Sequence, residues 1–182
     1  MRGRSAATIR FATATIMILL VIPLTSYNIA QANPSPRFGF TADETGKQVT
    51  FTDDHRIVKR LTLHVTGSYE CIDGNDGISV KFVRSTLAGS LAIDTISGGL
   101  RFSLLQLSDI RMHMTDSQTI MVTSTTEEPG SRVIAHLHLS DPLDCQPGTY
   151  SGSDSPNTLR AIFDPTTYRA RPPTIHSTLT LD

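Results

Sequence analysis

The residues with the most chemical promise are His136 and His138, which flank Leu137 in the apolar-alternating segment 133–139. Two histidines at i and i+2 of a strand share one face, and imidazoles on one face can hold a metal such as zinc once a third ligand joins them. His64 and His176 are the candidates for that ligand, on condition that their strands lie beside this one. The rival reading is plainer: histidines on the solvent side of a sheet, where such residues are common. Asp73, Asn75 and Gly77 imitate the start of a calcium loop. Gly77 and Arg84, however, stand where such a loop needs an oxygen ligand and a carboxylate, so a turn is expected. Asp53, Asp54 and His55 could exchange protons, yet between two strands they read as a solvated loop. No Gly-x-Ser-x-Gly elbow supports a serine hydrolase of that type. No catalytic residue is assigned and no cofactor is implied.

The elements that would position these side chains are strands. In 61–71 the odd positions include Leu61, Leu63, Val65, Tyr69 and Cys71, and the even ones are Thr, His, Thr, Ser and Glu. This two-residue period predicts one long strand with a dry face and a wet face, Gly67 marking a bulge or a close backbone approach. Phe38 and Phe40, then Val49 and Phe51, predict a first hairpin around a turn at 41–46. Ile78, Val80 and Phe82 alternate, as do Leu91 and Ile93. The stretch 100–114 reads as two strands broken near Ser108 and Asp109, with Leu100, Phe102 and Leu104 on one face. Glu128-Pro129-Gly130-Ser131 has turn chemistry between 120–125 and 133–139. A Glu128–Ser131 pairing sets Val122 against Leu137, Met121 against His138 and Thr123 against His136. Ser151–Ser155 has loop composition, 159–163 is a short strand, and 175–181 closes the chain with His176, Thr178 and Thr180 on its outer face. About nine short strands, frequent turns and no amphipathic helix predict an all-β fold, an antiparallel two-sheet sandwich with one disulfide.

The first 32 residues have the form of a signal peptide. Arg2, Arg4 and Arg10 precede an apolar run centred on 16–22, Pro23 breaks it, and Ala30-Gln31-Ala32 offers a peptidase site. The run is shorter than the roughly 20 residues a spanning helix needs, so no stable membrane span is expected after cleavage. A single domain, 33–182, should remain, exported and extracellular. Cys71 and Cys145 are the only cysteines, and oxidising surroundings favour a bridge between them. Loss of the three leader arginines leaves 13 cationic against 17 acidic residues, and with no basic run in the sequence nucleic acid is not an expected partner.

The segment Val65-Thr66-Gly67-Ser68-Tyr69-Glu70-Cys71, followed by a Gly/Asp turn and an alternating strand from Ile78, resembles small secreted actinobacterial β-sandwich proteins of unknown function. The resemblance implies an immunoglobulin-like fold and an exported address, without an activity. A tyrosine two residues before a bridge cysteine also occurs in immunoglobulin domains, although there it marks the second cysteine and a tryptophan packs on the bridge. The expected role is a non-enzymatic binding or surface-interaction module for a protein or surface ligand. The alternative is an exported metal-binding protein or metalloenzyme centred on His136 and His138.

Overall fold

Alternation of apolar and polar side chains builds nearly every element, because successive residues of a strand face opposite sides. The computed structural model describes residues 35–51, 56–74, 77–96, 101–153, 156–164, 166–172 and 174–182. The leader segment 1–32, the cluster Asp53-Asp54-His55 and Asn75 lie outside the described residues. Among the described residues eleven strands follow in chain order: β1 (Arg37–Phe51), β2 (Arg56–Gly74), β3 (Gly77–Phe82), β4 (Ala88–Thr95), β5 (Arg101–Met114), β6 (Thr119–Thr126), β7 (Arg132–His138), β8 (Gly148–Ser153), β9 (Thr158–Phe163), β10 (Thr166–Arg169) and β11 (His176–Leu181). Their spatial order is β10-β9-β7-β6-β5-β4-β2-β1-β11-β8, with β3 on a free length of β2, and every pairing is antiparallel.

The long central strand is present as its pattern predicts. Leu61, Leu63, Val65 and Tyr69 of β2 are fully buried. One edge of β2 pairs with β1 along its length, and the other is shared between β4 and β3. Gly67 makes no bulge, since its pairing with Phe40 is in register. A side chain there would press on Leu87 and the Phe40 ring, which close over the glycine.

Three local expectations differ from the structure. Residues 41–46 form no hairpin turn; β1 is one strand of 15 residues, its inward slots filled by Ala42, Glu44 and Gly46. These residues imitate a turn in sequence, but full-length pairing with β2 holds them extended. The break near Ser108 is a β-bulge inside β5, where Asp109 takes a φ of 50° and the register shifts before Arg111. The extra residue re-phases the strand: Leu105 and Leu107 pack on the core before it, Ile110 and Met112 after it, and Leu104 is left 53% exposed. The β6–β7 register is two residues from expectation, with Met121 opposite His136 and Thr119 opposite His138. Thr126 N and Oγ1 both donate to Ser131 Oγ, which moves pairing outward from the Glu128–Ser131 turn.

β5 also joins the two halves of the fold. β5 pairs with β4 through 101–106 and with β6 through 107–114, so the ladder runs on from one half to the other. The result is a single sheet curled into a half-barrel where two separately paired sheets were expected. Its ends approach each other: Ser140 N donates to Ser151 O at 2.8 Å, Arg171 N to Lys47 O at 3.1 Å, and Lys59 Nζ sits 4.4 Å from the Tyr168 ring centroid. β8 and β10, unrecognised in the sequence, are the two edges of this sheet. Gly152 of β8 passes so close to the His138 carbonyl that a Cβ would collide with it. Inward side chains such as Leu91, Ile120, Leu137, Leu159 and Leu179 fill one shared core.

Cys71, near the end of β2, is bonded to Cys145 in the loop after β7, with Cα atoms 6.0 Å apart. The bridge ties the connection between β7 and β8 to the end of β2. Tyr69 is 1% exposed, and its hydroxyl donates to the Asp182 carbonyl at 3.3 Å, anchoring the C-terminus beside the bridge.

Candidate binding face

The alternation that fills the core through Ile120, Val122, Val133, Ala135, Leu159 and Ala161 sends the intervening residues outward. On β7 these are Arg132, Ile134, His136 and His138. His136 and His138 therefore share the outer face as predicted, but each ring is drawn to a different neighbour. His136 Nδ1 lies 2.8 Å from Thr158 Oγ1 on β9, and His138 Nδ1 lies 2.9 Å from Thr119 Oγ1 on β6. The His138 backbone N donates to Asn157 Oδ1. Asp116, in the β5–β6 turn, accepts from the Gln118 and Thr119 amides at 2.8 and 2.7 Å. These bonds, the Gln118 amide foremost, hold its carboxyl below the usual range, with His138 adding a smaller pull.

The expected third metal ligands are elsewhere. His64 lies on β2, with Nδ1 2.7 Å from Asp43 Oδ1, and His176 is exposed on β11; neither strand pairs with β7. Among the described residues no three His, Cys, Asp or Glu side chains gather as a metal site. His113 of β5 is instead opposite Met121, which is opposite His136.

Arginines are what the register does assemble. Arg111 of β5 faces Thr123, Thr123 faces Ile134, Ile134 faces Arg160, and Arg160 faces Arg169 of β10. One cross-strand row thus spans five adjacent strands, with Arg132 one pleat step from Ile134 on β7. Three shallow depressions follow it. The first, of 420 Å³, is lined by Asp109, Arg111, Thr123, Arg132 and Ile134. Ile134 is shared with the second, of 200 Å³, which His136, Arg160 and Arg169 also line. Thr158 and Arg169 lead into the third, of 490 Å³, beside Asn157 and Arg171. All five arginines are exposed, and among the described residues none lies within ion-pair distance of a carboxylate. Among the described residues Asp109 is the one acid lining these depressions. No protein-family model, curated protein or solved structure matches the chain.

A second unusual group is internal. Glu44 of β1 is fully buried, opposite Leu63 on one side and Ser177 on the other. Neither of its carboxyl oxygens has a partner among the described residues, and neither does Ser177 Oγ. Burial pushes the Glu44 carboxyl well above the usual carboxylate range. Sequence reasoning missed it because its neighbours Asp43 and Thr45 made the segment read as a turn.

Proposed function

We propose that this chain is an exported, non-enzymatic binding module that meets an anionic ligand through the outer face of β5, β6, β7, β9 and β10. The observation that carries the reading is the row of arginines along three adjoining depressions, none of them within ion-pair distance of a carboxylate among the described residues. Guanidinium is the side chain best suited to grip carboxylate, sulfate or phosphate by paired hydrogen bonds. Export is supported by the leader pattern and is compatible with the disulfide. An immunoglobulin-like kinship belongs to the same reading and rests on the Tyr69-Glu70-Cys71 pattern at the bridge. Backbone-amide NMR of residues 33–182, titrated with sodium sulfate against chloride at matched ionic strength, tests the binding face. Sulfate-specific shifts are expected around Arg111, Arg132, Arg160 and Arg169. Shifts gathered anywhere else, or none, would remove this face from consideration.

One set of contacts favours metal carriage as a second reading. Threonine hydroxyls occupy Nδ1 of both His136 and His138, with no partner for either Nε2 among the described residues, and second-shell bonds of this kind orient metal-binding imidazoles. Equilibrium dialysis against zinc and copper separates the two. One equivalent of metal bound, and lost in the His136→Ala/His138→Ala chain, establishes carriage; sub-stoichiometric binding unaffected by the substitutions dismisses it.

A further inference from the structure

We infer that the ligand of the arginine face is an extended anionic polysaccharide bearing carboxylate or sulfate groups along its length. This rests on the proposed anion-binding role and specifies its ligand. The row crosses five strands, and at the usual inter-strand spacing that is about 19 Å. A single oxyanion cannot reach guanidinium groups so far apart, so the spacing calls for a chain carrying several negative groups. Arg160 and Arg169 are directly opposite each other, an arrangement that destabilises a strand pair unless an anion sits between them.

The lining also discriminates among polyanions. Single-stranded nucleic acid is held by aromatic side chains on which bases stack, and none lines these depressions among the described residues. An anionic membrane favours apolar side chains standing beyond the basic ones. Here Met121, Ile134 and Ile162 are partly buried between the arginines, and among the described residues the most exposed large apolar side chains (Phe38, Ile72, Ile78, Ile96 and Leu104) belong to the other half of the sheet. Ile134 in mid-row, with the hydroxyls of Thr123 and Thr158, offers the apolar contact and hydrogen bonds that a sugar ring accepts.

Calorimetric titration of residues 33–182 with heparin-derived di-, tetra- and hexasaccharides tests the inference. Affinity should rise about tenfold or more from di- to hexasaccharide, as each added anion engages another arginine at high effective concentration. It should fall by at least about tenfold in Arg160→Gln/Arg169→Gln and also in Arg132→Gln, and stay unchanged in Arg84→Gln, which lies in the 3-10 turn away from the row. Equal affinity for all three lengths overturns the extended ligand while leaving a simple anion-binding face standing. Tighter binding of oligothymidylate, or of phosphatidylglycerol vesicles, overturns the polysaccharide assignment. No binding of any oligosaccharide, together with no sulfate response in the NMR titration, overturns both.

Discussion

Glu44→Gln should yield a domain more stable than the unsubstituted chain at neutral pH, with the advantage fading toward about pH 4. The sign follows from the direction of the shift. A carboxyl whose folded-state pKa is raised is favoured in its protonated form by the native state, while the unfolded chain releases the proton near the ordinary glutamate value. Between those two pKa values the native state binds more protons, so stability falls as pH rises, by at most about 1.4 kcal/mol per unit. The penalty is absent below the unfolded pKa and reaches its full size above the raised one. Gln removes the titration but keeps a polar group opposite Ser177. Glu44→Leu removes both the charge and the need for a partner, and should be the more stable of the two at every pH. Urea midpoints across pH 4 to 8 decide the matter. A flat difference between the glutamate and glutamine chains would mean that Glu44 has no raised pKa.

Loss of the disulfide should have an effect of similar size. The bridge closes a loop with a sequence separation of 74 residues, for which the chain-entropy relation gives about 4 kcal/mol of stabilisation. Cys71→Ser/Cys145→Ser, or the reduced wild type, should therefore unfold at a much lower urea concentration than the oxidised chain and with a steeper slope, because the unbridged unfolded chain exposes more surface. The two chains should show this loss equally. A shift under about 1 kcal/mol would place closure of the half-barrel on the core and the Ser140–Ser151 and Lys47–Arg171 hydrogen bonds alone.

Much of the fold was legible because period-two patterning records which face of a strand is buried. β2, β7 and β11 follow it residue by residue, with Leu61, Val133 and Leu179 inside and His64, His136 and His176 outside. The disulfide was legible from a count of two cysteines together with the expected export to oxidising surroundings. What sequence patterning records poorly is register and partner choice. One extra residue at Asp109 re-phased β5, and β5 pairs with β4 over 101–106 and with β6 over 107–114, so one curled ladder stands where two sheets were expected. Edge strands also escape the pattern: β8 and β10 are short, and β8 has only Gly152 buried along it. The candidate binding face was hidden for the same reason. Arg111, Arg132, Arg160, Arg169 and Arg171 form no run in the chain, and a mildly acidic total suggested no cationic surface. Only antiparallel register across β5 to β10 brings them side by side. His136 and His138 were correctly placed on one face, but the threonines that draw their rings toward opposite neighbours belong to other strands.

A binding row and a purely structural one differ most plainly in the like-charge pair at its end. The decisive measurement is the urea-unfolding midpoint of Arg160→Gln beside that of the unsubstituted chain, each with and without heparin hexasaccharide. Removing one of two opposed arginines should raise stability by about 0.2–1 kcal/mol in the free protein. It should also shrink the stabilisation that the ligand confers on the native state. A variant that is less stable when free, yet gains as much from the hexasaccharide as the unsubstituted chain, would show that Arg160 supports the sheet and that the ligand binds elsewhere.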